Sequence, residues 1–274
     1  MRAFALGVVL CCGASSACSR EGQSVQRALT ESADEAPARA APPALVAIRA
    51  GARDPARPQI SACPEHMLLV EGNYCPEVRH QCLRYLDPPG RYEFFRCAEY
   101  AQPAECASRS RKRLRFCIDR DEYSSDPGGL PDNYQSFTRA GQVCQSLGKR
   151  VCAESEWNFA CEGEEMRPYP YGFKRDPSAC NADRTAILDP SGKLRDLRAP
   201  GDAYPRCVSS FGVRNLAGNL EEFVSIDGTR GPAPAMKGAY WQPSRNHCRA
   251  AQTAHDRFYN GTETGFRCCA EPVR

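Results

Sequence analysis

The chain has 274 residues, 42% of them hydrophobic, and a formal net charge of +3, so it can pack a domain of ordinary size and gives no cationic argument for a nucleic-acid partner. Seventeen cysteines are the informative number, because a reducing cytosol keeps thiols apart and a chain this rich in them belongs in an oxidising, extracytoplasmic compartment. The N-terminus agrees: Arg2 precedes an apolar run, Ala3 to Leu10, too brief to span a bilayer, and small residues from Gly13 to Ala17 follow, the pattern of a cleavable export signal over 1–17. Cleavage there exposes Cys18, the position that carries the lipid in a bacterial lipoprotein. Parity points the same way, since losing Cys11 and Cys12 leaves fifteen cysteines and lipidating Cys18 leaves fourteen, an even set. The expectation is a chain anchored to a membrane through Cys18, with a plain secreted protein as the alternative.

Residues 18–62 are rich in Ala, Pro, Arg and Glu without hydrophobic periodicity, the composition of a disordered tether. One domain is expected over 63–274, with no internal repeat and no membrane-spanning helix. His66 to Tyr74 reads as a strand running into a turn, and Phe116 to Tyr123 as a second strand. The run from Arg109 to Arg115 is a dense cationic patch, read as a solvated loop, with an anionic envelope polymer or lipid headgroup as the partner it would suit. Asp126 to Asp132 is a loop. Ser136 to Leu147 is a helix: Ser136 or Thr138 can cap it, Ala140, Val143, Cys144 and Leu147 recur at three- and four-residue spacing, and Gly148 can end it. Glu154 to Cys161 is a second helix, aligning Trp157, Ala160 and Cys161. After Pro168 the chain is loop and short strand, so function is sought on irregular structure. Asn260-Gly261-Thr262 spells a glycosylation acceptor, relevant only to a eukaryotic source. The six cysteines from Cys63 to Cys117 allow fifteen connectivities, and spacing does not choose among them.

Six short motifs follow one another from Gly148 to Cys268. They are Gly148-Lys149-Arg150-Val151 running through Glu154-Ser155-Glu156-Trp157 to Cys161-Glu162-Gly163, Tyr169-Pro170-Tyr171-Gly172, Cys180-Asn181-Ala182, Asn215-Leu216-Ala217-Gly218-Asn219-Leu220-Glu221-Glu222-Phe223, Lys237-Gly238-Ala239, and Gly265-Phe266-Arg267-Cys268. In order and spacing this set resembles the signatures of the formylglycine-generating (sulfatase-modifying factor) family over Ser136 to Cys269. The resemblance implies a loop-rich α+β fold of C-type-lectin-like architecture, stapled by disulfides. It also implies that Cys144 pairs with Cys268 and Cys161 with Cys248; beside these, and apart from the resemblance, Cys152 with Cys269 and Cys180 with Cys207 are taken as further bridges. Fold alone does not give function.

Active members of that family bind copper through two thiolates in the interval matching Ala239 to His247, and oxidise a substrate cysteine to formylglycine. Here that interval is short and holds neither Cys nor Met, so the soft ligands copper(I) prefers are absent. Copper is therefore not expected. Structural calcium is the cofactor the resemblance implies, on oxygens of Asn181, Ala182, Asn219 and Glu222. Two functions follow from different classes. The first is a non-catalytic envelope binding or scaffold module whose former substrate groove, near Tyr240, Trp241, Arg245, His247 and His255, recognises a peptide or glycan. The second is a diverged oxidase or peptide-modifying enzyme with iron or zinc at His247, His255 and Asp256. Trp157 and Trp241 are also read as core residues, which for Trp241 competes with the groove.

Overall fold

The computed structural model describes residues 61–273. The export signal, Cys18 and nearly all of the 18–62 tether lie outside those residues. In chain order the elements are β1 (Met67–Tyr74), β2 (Val78–Arg79), β3 (Cys82–Tyr85), β4 (Cys97–Tyr100), β5 (Glu105–Cys106), β6 (Lys112–Asp119), α1 (Phe137–Ser146), β7 (Arg150–Val151), α2 (Glu154–Glu162), β8 (Glu221–Ser225), β9 (Pro234–Lys237), β10 (Ala251–Gln252), β11 (Thr264–Gly265) and β12 (Cys268–Ala270). The class is loop-rich α+β. Among the described residues no helix is long and apolar enough to cross a membrane.

β1 alternates buried and exposed residues from Val70 to Tyr74, as a half-buried strand must. It pairs antiparallel with β6 over its whole length, and β6 continues through β12 to β7, giving the sheet order β1-β6-β12-β7. This register corrects two expectations. The strand read over Phe116 to Tyr123 begins four residues earlier and stops at Asp119, and the cationic run from Lys112 onward is strand rather than loop. Charged residues fit there because Arg113 and Arg115 lie on the exposed side and share Glu71 across the ladder, at 2.6 and 3.4 Å. A second sheet, β10-β9-β8-β11, holds the segments that flank the candidate site, and two small pairs, β2-β5 and β3-β4, lie outside both sheets.

Both helices form where expected. The Ser136 hydroxyl accepts the Arg139 N–H at 3.2 Å, so Ser136 rather than Thr138 is the cap, and Gly148 takes φ 69° just past the end of α1. α2 is buried from Glu156 to Cys161 and on to Glu162, which makes it the central element rather than a one-faced amphipathic helix. Its buried carboxylates are paired: Glu156 with Arg150 at 2.6 Å, and Glu162 with Arg249, whose Nε donates at 2.6 Å. Trp157, Phe159, Ala160 and Cys161 pack against Val70, Phe116, Ile118 and Leu216 to form the main core.

Candidate functional site

The interval Ala239 to His247 is held at both ends. Before it, Lys237 ends β9 fully buried, 3.3 Å from Glu154 and 5.6 Å over the Trp157 ring. Burial outweighs the Glu154 carboxylate and lowers the Lys237 ammonium to about 8. After it, Cys248 is bridged to Cys161 on α2, and its N–H donates to the Pro168 carbonyl at 2.7 Å. Between these ends, Arg184 N–H donates to the Trp241 carbonyl at 2.7 Å and the Arg175 guanidinium to the Ser244 carbonyl at 3.0 Å.

This tethering turns His247 against two residues from the N-terminal part of the domain. Its ring centre lies 6.4 Å from that of His80 and 6.3 Å from that of Tyr100, while His80 and Tyr100 are 5.5 Å apart. His80 Nε2 meets the Met166 carbonyl at 2.7 Å. A carbonyl only accepts, so Nε2 carries the proton and Nδ1 keeps its lone pair. His247 Nδ1 is buried without a hydrogen-bond partner. Burial, and then the neighbouring His80, lower His247 to about 3, and burial lowers His80, so both rings are neutral at pH 7. Two open clefts adjoin the cluster: Tyr100 lines one of 940 Å³ and His80 one of 650 Å³.

The other expected groove residues scatter. Trp241 is fully buried, so it is core and cannot line a groove, and Tyr240 packs edge-on against it at 5.4 Å. Arg245 is exposed and lies 5.2 Å over Phe95. His255 stacks on Tyr259 at 3.6 Å, and the Asp256 carboxylate accepts the Phe258 and Tyr259 N–H groups at 2.8 and 2.9 Å. His247, His255 and Asp256 therefore do not form the expected metal site, because local turn bonds hold the last two while His247 joins His80. Among the described residues no group of three or more His, Cys, Asp or Glu converges as a ligand set.

The fourteen described cysteines form seven disulfides, leaving no thiol pair among them. Cys144 joins Cys268, Cys161 joins Cys248, Cys152 joins Cys269 and Cys180 joins Cys207. The connectivity left open by spacing is Cys63–Cys117, Cys75–Cys106 and Cys82–Cys97.

The residues implied for calcium are engaged with one another, with backbone groups and with Arg267, and do not fit the ion. Gly218, at φ 85°, would place a Cβ 2.3 Å from the Asn181 carbonyl; as glycine it brings Asn181 and Asn219 together. There Asn181 Nδ2 donates to Asn219 Oδ1 at 2.9 Å, and Ala199 N–H donates to the same oxygen at 2.9 Å. Ala182 lies in the same turn, its N–H donating to the Cys180 carbonyl at 2.9 Å. Glu222 is engaged elsewhere: Arg267 donates to both carboxylate oxygens at 2.6 and 2.7 Å, and Trp157 Nε1 to one of them at 3.0 Å. Glu222 and Arg267 are each at most 1% exposed. A dication at Glu222 would have to displace a buried guanidinium.

Sequence reasoning missed Glu122, His80 and Tyr100. Glu122 is buried behind Asn219, its oxygens accepting from Leu220 N–H at 2.9 Å and Asn219 Nδ2 at 2.5 Å. Burial and the nearby Glu222 push its carboxyl up to about 8. Asp-Arg-Asp-Glu at the end of β6 was the available signal for an inward-turning acid. For His80 the only signal was rarity, since the chain has four histidines.

A family model described as the sulfatase-modifying factor enzyme 1-like domain matches residues 93–272. The chain is 31% identical over 163 residues to the inactive C-alpha-formylglycine-generating enzyme 2 of Mus musculus, covering 53% of this chain and 50% of that protein. It is 25% identical over 166 residues to the formylglycine-generating enzyme of Mus musculus, covering 52% and 44%. The chain thus spans about half the length of these curated relatives. Among solved structures, that of CarF covers 77% of this chain and 99% of its own, with TM-score 0.49 and 14% identity.

Proposed function

The chain belongs to the sulfatase-modifying factor enzyme 1-like domain family, and from that premise we propose that it is an extracytoplasmic, non-catalytic binding or scaffold module. One observation carries the reading: in the interval where active members hold their thiolate pair this chain has no sulfur, and every described cysteine is committed to a bridge. Without thiolates, copper(I) has no soft ligand there. The likeness to a mouse protein named as inactive supports the same reading. Seven disulfides favour an oxidising compartment. Anchoring through a lipid on Cys18 belongs to this proposal, as does a peptide or glycan partner.

The test is incubation of the full-length protein with a cysteine-bearing peptide, copper and oxygen, with aldehyde read by hydrazide capture. No aldehyde is expected. Aldehyde formation that disappears when Cys248 or Cys269 is replaced would overturn the proposal. Labelling with a palmitate analogue is expected to mark the wild type and not Cys18→Ser; equal absence of label removes the anchor. A second reading, a diverged metal-dependent oxidase or peptide-modifying enzyme, is favoured by the two imidazoles brought side by side at His80 and His247. Oxygen consumption dependent on an added metal ion and on a peptide substrate would select it.

A further inference from the structure

We propose that His80 and His247, with the Tyr100 phenol beside them, form a binding site for one borderline transition-metal ion such as Zn²⁺, Ni²⁺ or Cu²⁺. The inference goes beyond the function proposed above, because a bound ion serves a scaffold as readily as an enzyme. It differs from the family's sulfur-based copper centre in position and in donor chemistry.

Three observations carry it. The fold brings together two of the chain's four histidines from opposite ends of the domain, and imidazole nitrogen is the donor that suits these ions. His80 has the outer hydrogen bond that a metal-ligating imidazole uses, since its Nε2–H donates to the Met166 carbonyl and the Nδ1 lone pair stays free. His247 Nδ1 is buried and makes no hydrogen bond, so packing alone leaves its polar edge unexplained.

Size and charge agree. With metal–nitrogen bonds of about 2.0 to 2.1 Å, two imidazoles on opposite sides of one ion put their ring centres roughly 6 Å apart, and adjacent ligands about 5 Å apart. The observed 6.4 Å is close to the first of these separations. The nearby cations are largely neutralised by their own carboxylates: Arg175 by Asp183, Lys237 by Glu154 and Arg249 by Glu162. Arg245 alone is left, exposed and over Phe95. Open clefts lie beside Tyr100 and beside His80.

The test uses the full-length protein, freed of metal by chelator and with any free thiol alkylated, titrated with Zn²⁺, Ni²⁺ and Cu²⁺ against a chromophoric competitor. One ion per chain is expected. His80→Gln and His247→Asn should each weaken binding at least tenfold and Tyr100→Phe a few fold, while His255→Gln leaves it unchanged. Electron paramagnetic resonance of the Cu²⁺ form should show coupling to two imidazole nitrogens, a readout that does not depend on any variant folding. Absence of stoichiometric binding, affinity that survives both histidine substitutions, or a spectrum without nitrogen coupling would each overturn the proposal.

Discussion

Every side-chain N–H of Arg267 has an acceptor, whereas the loop from Ala239 to His247 buries three polar atoms that have no partner. Arg267 bonds Glu222 twice and the carbonyls of Asp119, Arg120 and Arg214, all while almost fully buried. In the loop, Trp241 Nε1, Asn246 Oδ1 and His247 Nδ1 are unpaired, three of the seven such side-chain atoms among the described residues. The two regions belong to one domain and each is followed at once by a disulfide, Cys268 to Cys144 on α1 and Cys248 to Cys161 on α2, so the difference is not one of general looseness. An unpaired buried group costs about 1–3 kcal/mol, so the open atoms of the loop are the ones that the proposed partner would satisfy.

The sharpest way to break the comparison is to unstaple the frame. Replacing Cys144 and Cys268 together by Ser opens a cross-link spanning 124 positions and should lower unfolding free energy by about 5 kcal/mol, read by urea denaturation. Next, Glu222→Gln leaves Arg267 as a buried cation without its counter-charge, and a loss of about 3 kcal/mol is expected in the same assay. A pH series tests the edge of that network. The Glu122 carboxyl is raised from its ordinary 4.5 to about 8. The unfolded chain therefore releases this proton first, and stability falls as pH rises from about 4.5 to 8. Between pH 5 and 7 the drop should reach no more than about 2.5 kcal/mol, and Glu122→Gln should flatten it. The tryptophans give the direct contrast. Trp157→Phe loses a hydrogen bond to a buried carboxylate and should cost about 1–2 kcal/mol more than Trp241→Phe, which deletes an N–H that bonds nothing. Equal costs would mean the loop's polar atoms are satisfied after all. The smallest effect belongs to His255→Ala, which removes one stacking contact on Tyr259 and should change stability by less than about 0.5 kcal/mol.

Both helices and β1 were legible because their signals are local: a capping serine, three- and four-residue spacing, period-two alternation, a terminal glycine. The Cys144–Cys268 and Cys161–Cys248 bridges were legible only through resemblance. The Lys112 to Arg115 stretch was misread because a strand with one charged side against a glutamate across the ladder is indistinguishable, in sequence, from a solvated basic loop. The groove failed for a related reason. An aromatic such as Trp241 carries no mark that tells a wall of a cleft from a filler of the core, and only neighbours contributed by remote segments decide.

By itself the sequence determined the class of the chain, its oxidised state, its two helices and the absence of sulfur between Ala239 and His247, since these rest on composition, short-range periodicity and residue identity. Tertiary structure alone decided that Glu222 answers Arg267 rather than a calcium ion, that Cys75 finds Cys106, and that His247 meets His80 instead of His255. Each of those is a contact between segments distant in the chain, and closing such a loop is selected by the free energy of the whole packed domain rather than by any property of the residues that meet.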